Sequence, residues 1–158
     1  QMLGREISDP DGIEGKPVSV PGLGLLEVST VMTADKRVTE TRALHPASGT
    51  AVRGYEIHLG QTTGPDRARP LFSVEGQPEG AVRADGRVMG SYLHGMFTED
   101  GFRAAFLAGL GAEPGRLRYD ATVEETLDAL ADHLAAHIDT ASLLSLAQGT
   151  PTFDRRPR

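Results

Sequence analysis

The chain has 158 residues, of which 39% are hydrophobic and 24% charged, with a formal net charge of -6. That fits one compact domain or most of a larger one, and it gives no support for nucleic acid as a partner. The absence of cysteine excludes disulfides, thiolate metal sites and a thiol nucleophile within these residues. No apolar run approaches a membrane span, and no basic and apolar leader pattern stands at the start, so no membrane partner and a cytoplasmic location are expected.

Gln1-Met2-Leu3-Gly4 carries no cap or linker before it and reads as the first turn of a helix that begins upstream, a native start at Met2 being the alternative. Ser8-Asp9-Pro10-Asp11-Gly12 is a turn cluster, and residues 17–24 form a second Pro- and Gly-rich loop. Strands are expected over residues 25–32, 38–44, 52–59 and 71–74. Residues 80–83 and 88–93 form a hairpin around Asp85-Gly86.

The remainder is read as helical. Thr98 is placed as an N-cap, with Glu99 and Asp100 at the positive end of the helix dipole. Phe102, Phe106 and Leu110 share one face, and Gly109 and Gly111 end the helix. Thr122-Val123-Glu124-Glu125 has the form of a capping box. Leu127, Leu130, Leu134 and Ile138 then make an apolar stripe. The expected organisation is one domain over residues 1–146 with a mixed sheet, followed by a disordered tail over residues 147–158.

Three stretches carry chemistry. In Gly90-Ser91-Tyr92-Leu93-His94-Gly95-Met96-Phe97, a histidine ends a strand, where α/β proteins place ligand-facing groups. An imidazole is the side chain whose ordinary charge change lies closest to neutral pH, which suits proton transfer there. Ser91 stands three residues away, on the opposite strand face, and is badly placed as its nucleophile, whereas Tyr92 shares the face of His94. In Gly54-Tyr55-Glu56-Ile57-His58, Glu56 and His58 share one face, with Tyr55 and Ile57 on the other. Two ligands without a third make no metal site. Gln1 to Gly4 is the third stretch.

Other candidates fall away. Gly22-Leu23-Gly24 lacks the third glycine of a dinucleotide loop, and Asp9, Asp11 and Glu14 lack calcium-loop spacing. His133 and His137 lie one helical turn apart without a third ligand, so a solvated helix face is the expectation.

In order, QMLG, DPDGIEG, GLGLLEVST, GYEIHLGQT and GSYLHGMF resemble the C-terminal glutaminase domains of the cobyric acid synthases, class I glutamine amidotransferases of cobalamin biosynthesis. The resemblance runs from Gln1 to about residue 146. It implies an α/β, flavodoxin-like fold with a central mixed sheet and flanking helices, its early strands lying outside these residues. In that family the nucleophile belongs to a Cys-Gly-Gly-Tyr-Gln turn whose glutamine matches Gln1, which places the cysteine just upstream of this chain. His94 is then the catalytic residue of glutamine hydrolysis, and Gln1, Tyr55 and Glu56 are the implied glutamine-binding positions.

The same resemblance implies no cofactor or metal in this domain. It places ATP and magnesium in a separate synthetase domain, where ammonia would amidate carboxylates of a corrinoid. Many class I members carry a glutamate two residues after the histidine, where Met96 stands here, and Glu56 is a candidate for orienting His94 instead. Two readings stay open: a glutaminase part lacking its nucleophile in this chain, which would be inactive alone, and a non-catalytic amidotransferase-like binding or scaffold module. A hydrolase using Ser91 is the third and weakest.

Overall fold

The computed structural model describes residues 1–149. Within them two compact units separate, one over Gln1–Arg116 and one that begins at Leu117. The first unit carries nine strands. They are β1 (Glu6–Asp9), β2 (Val18–Pro21), β3 (Ser29–His45), β4 (Thr50–Thr63) and β5 (Phe72–Val74). The short strands β6 (Gln77–Glu79), β7 (Ala81–Val82), β8 (Met89–Gly90) and β9 (Leu93–His94) follow, then helix α1 (Asp100–Gly109).

The main sheet is mixed, as expected. Its path is β2-β1-β3-β4-β9, with β1 and β3 parallel and the other neighbours on the path antiparallel. β5 joins β3 and β6, while β7 and β8 form the separate hairpin foreseen around Asp85-Gly86. The strands expected over 25–32 and 38–44 are largely one 17-residue strand, β3. Its pairing with β4 shifts between Val31 and Lys36, and this bulge interrupts the alternation that marks a strand. Gly60 stands opposite the bulge at φ 93, where a Cβ would meet the Val31 carbonyl oxygen at 2.4 Å. Only glycine accommodates both conditions.

Residues 17–24, expected as loop, contain β2. Its four residues are all exposed, so no buried side completes the hydrophobic pattern of a strand. Gln1 to Gly4 forms a single turn closed by the Gly4 amide on the Gln1 carbonyl at 2.9 Å, not a helix.

One face of the β3–β4 ribbon supplies the core. Ala43 and Val52 pack with Leu71, Phe72, Val74, Leu93 and Phe102. Phe102 anchors α1 to this cluster, its ring 5.3 Å from Phe72. The helix starts one residue later than expected, with Glu99 as N-cap, and Thr98 instead donates to the Gly95 carbonyl at 2.8 Å. At the other end, Gly111 adopts φ 77, and the Gly111 and Ala112 amides bond back to Ala108 and Leu107 at 2.9 Å each. This Schellman closure leaves Leu110 as the exposed C-cap, so it does not continue the face of Phe102 and Phe106.

The second unit holds α2 (Tyr119–His137) and α3 (Thr140–Gln148). The expected capping box is not formed: α2 begins at Tyr119 with Arg118 as N-cap, and Thr122 lies inside it, donating to the Arg118 carbonyl at 2.9 Å. Thr122 is a mid-turn residue back-bonding four positions upstream. α3 is capped by Asp139, which accepts from the Ser142 amide at 3.0 Å. It runs through Gln148, into the stretch expected to be disordered, and residues 150–158 of that expected tail lie outside the described residues.

Candidate functional site

His94 closes β9. Leu93 before it is 2% exposed in the core while His94 is exposed, so a single buried side chain fixes the strand and turns its neighbour outward. Gly95 follows at φ 78 and leads the chain away into a short 3₁₀ turn. In the antiparallel pairing with β4, His94 faces Tyr55 and Leu93 faces Glu56. Directly opposed residues share a sheet face. Tyr55 is therefore on the side of His94, and Glu56 is on the other.

That register removes Glu56 as the group orienting the imidazole. Instead, His94 Nδ1 donates to the Tyr92 carbonyl at 2.9 Å, since a carbonyl oxygen can only accept. Nε2 then carries the lone pair and has no hydrogen-bond partner among the described residues. Met96 packs against the hydrophobic cluster and brings no carboxylate.

Gln1 and His94 line one open cavity of about 520 Å³, together with Met2, Ile57 and Tyr92. Gln1 is held by its Nε2, which donates to the Leu59 carbonyl at 2.8 Å. Tyr55, 53% exposed, shares the sheet face of His94 but is not among the lining residues. Of the four positions singled out from sequence, the cavity gathers two.

Glu56 belongs to a second cavity of about 550 Å³. Its carboxylate pairs with Arg37 at 3.0 Å and with His58 at 3.2 Å. His58 stacks on Tyr92 with ring centroids 4.5 Å apart, and the Tyr92 hydroxyl meets Thr62 Oγ1 at 2.5 Å. His58 and Tyr92 line both cavities. Among the described residues no three His, Cys, Asp or Glu side chains gather to hold a metal ion. His133 and His137 stack on each other at 4.3 Å on the exposed side of α2.

Sequence reasoning missed Glu79. It ends β6, is 7% exposed, and receives the Ser91 hydroxyl at 2.8 Å and the Tyr92 amide at 2.7 Å. Burial raises its carboxyl above the usual value, and the bonds from Tyr92 and Ser91 oppose that shift. An acid in the stretch Gln77-Pro78-Glu79-Gly80 gives no sign in sequence that it turns inward toward residues a dozen positions on.

Comparison with known proteins places the chain in a family. Residues 1–102 match the family model described as the CobB/CobQ-like glutamine amidotransferase domain. The chain is 62% identical over 148 residues to proteins named cobyric acid synthase from Cereibacter sphaeroides and Rhodobacter capsulatus. It is 55% identical to one of the same name from Bradyrhizobium diazoefficiens. Each alignment covers 94% of this chain and 31% of the relative, so the chain spans less than a third of the length of these curated relatives. A matched family model over residues 1–102, most of the first unit, leads to one conclusion. The chain belongs to the CobB/CobQ-like glutamine amidotransferase domain family.

Proposed function

We propose that this chain is the histidine-bearing part of a glutaminase that feeds ammonia to an ATP-dependent synthetase. The observation that carries the reading is the state of His94: exposed at a strand end, with Nδ1 occupied by a carbonyl and Nε2 left as a base above a cavity shared with Gln1. None of the 158 residues is a cysteine, so the thiol comes from polypeptide outside them.

The chemistry is acyl transfer. A cysteine thiolate adds to the side-chain amide carbon of glutamine, and the tetrahedral intermediate expels ammonia as His94 supplies the proton. His94 then takes a proton from water, which attacks the thioester, releases glutamate and restores the thiol. Gln1 and Tyr55 are proposed to contact glutamine. Glu56 serves that pocket only indirectly, through His58, which lines both cavities.

The name cobyric acid synthase carried by the relatives supports a corrinoid carboxylate as the final ammonia acceptor, with ATP and magnesium acting in the synthetase part. A cytoplasmic location belongs to the same reading; no helix among the described residues is long and apolar enough to cross a membrane.

The test joins this chain to the coding sequence that precedes it and measures glutamate formed from glutamine. The His94→Ala variant is expected to lose about 10²- to 10⁴-fold in rate. Full activity in that variant refutes the assignment, and no hydrolysis even with the preceding cysteine in place favours a non-catalytic binding module.

A further inference from the structure

The geometry points to Glu79 and Ser91 as positioning residues that set the proton on the His94 ring through a relay of hydrogen bonds crossing the backbone. The relay begins at His94 Nδ1, which donates to the Tyr92 carbonyl at 2.9 Å. That carbonyl and the Leu93 amide belong to one peptide unit. The Leu93 amide donates to Ser91 Oγ at 2.9 Å, and the Ser91 hydroxyl donates to Glu79 Oε2 at 2.8 Å. Every donor in this series points toward the carboxylate. Polarisation therefore accumulates in one direction, because each acceptor made more negative by its own donation accepts more strongly.

Two further bonds hold the peptide in place. Glu79 Oε1 accepts from the Tyr92 amide at 2.7 Å, and the Tyr92 carbonyl also accepts from Ile57 at 3.2 Å. One carboxylate thus grips both the residue before the peptide unit and the hydroxyl that caps it. Glu79 is 7% exposed, so its bonds to Ser91 and Tyr92 are partly shielded from water, which strengthens charge-assisted bonds. An anion buried at the edge of a short strand is otherwise costly, and the relay gives it a purpose.

The consequence is a chosen tautomer. With Nδ1 committed to donation, the neutral ring keeps its lone pair on Nε2, the atom a glutaminase needs as base. Ser91 is then a link that passes the influence of Glu79 to the ring, and its hydroxyl is spent on that task rather than on nucleophilic attack.

The experiment has two arms. Nitrogen-15 NMR of this chain reads where the neutral His94 ring carries its proton, which requires no activity and stands apart from the glutaminase reading. The second arm, which rests on that reading, measures glutamine hydrolysis in the protein carrying this chain with its cysteine supplied. The expected result is an Nδ1-protonated ring in the wild type. Ser91→Ala and Glu79→Gln are each expected to move the population toward Nε2 protonation and to lower kcat by up to about 100-fold with a smaller change in KM. Ser91→Ala removes only one hydroxyl, so it keeps the test valid if the Glu79 variant folds poorly. A wild-type ring protonated on Nε2, or an unchanged tautomer in folded Ser91→Ala, overturns the relay. An Nδ1-protonated wild-type ring that shifts in Ser91→Ala, found together with a His94→Ala variant that stays active, would instead refute the glutaminase reading alone.

Discussion

A Cβ placed on Gly54 would lie 2.3 Å from the carbonyl oxygen of His94 and 3.1 Å from the Leu93 side chain. Strand β9 can approach β4 only because residue 54 has no side chain. Gly54→Ala is expected to push the two-residue strand outward at a cost of about 1–3 kcal/mol. It should also misplace the imidazole. Denaturant unfolding of the first unit, set beside the hydrolysis assay, checks both, and an alanine variant with unchanged midpoint and rate would contradict the close approach.

Leu93 tethers the same strand to the core. It is 2% exposed and packs with Val52, Phe72 and Phe102, and truncation leaves a cavity the surrounding sheet cannot close. Leu93→Ala is expected to cost about 2–5 kcal/mol. A midpoint shift in urea with unchanged slope would confirm that stability alone has moved.

Tyr92 tests how much the hydroxyl chain under the site contributes. Its hydroxyl meets Thr62 Oγ1, which in turn meets Thr30 Oγ1 at 2.6 Å. Tyr92→Phe keeps the stack on His58 and removes one bond, leaving Thr62 with its other partner. A loss of about 0.5–1.5 kcal/mol is expected, measured by chemical unfolding against Thr62→Val as the reciprocal change.

Acidification should weaken the first unit through His45. Its ring lies edge-on to Phe72 and Phe102 at 5.9 and 5.1 Å, and burial lowers its pKa from the ordinary value of 6.5. The folded state therefore disfavours the extra proton. The stability it contributes is present above that ordinary value and is lost as pH falls through the lowered one. Thermal melts between about pH 7 and pH 5 should fall for the wild type and flatten in His45→Phe.

Glu79 carries the opposite sign. Burial raises its pKa above 4.5, so the folded state binds the proton more readily than the unfolded chain does. Its stabilising contribution is present below 4.5 and declines as pH rises through the raised value. Relative to Glu79→Gln, the wild type should gain stability on acidification. A constant difference between the two melting curves across that window would contradict the burial cost.

What was legible in the sequence followed from period and motif. Alternation alone put Glu56 and His58 on one face and Tyr55 on the other, and the pairing of β4 with β9 bears that out. The same alternation could not show which face His94 would share, because that depends on the register between strands some forty residues apart. The continuity of β3 was hidden by the bulge opposite Gly60. Capping motifs misled at Thr98, where the N-cap lies one residue later, and at Thr122, where it lies four residues earlier, both without side-chain capping. Glu79 had no local signature at all: its partners are a hydroxyl and an amide far along the chain, and backbone donors leave no trace in composition.

The lengths of β4 and β9 also set an order of events. Most of the β3–β4 pairing grows outward from the tight turn between His45 and Thr50, so it closes small loops and can zip quickly. The histidine strand has two residues and pairs with positions 55 and 56 only, which requires a much longer stretch of chain to come back. Substitutions in β9 should speed unfolding and leave the refolding rate nearly untouched, so the site can dissolve and re-form while the ribbon beneath it persists.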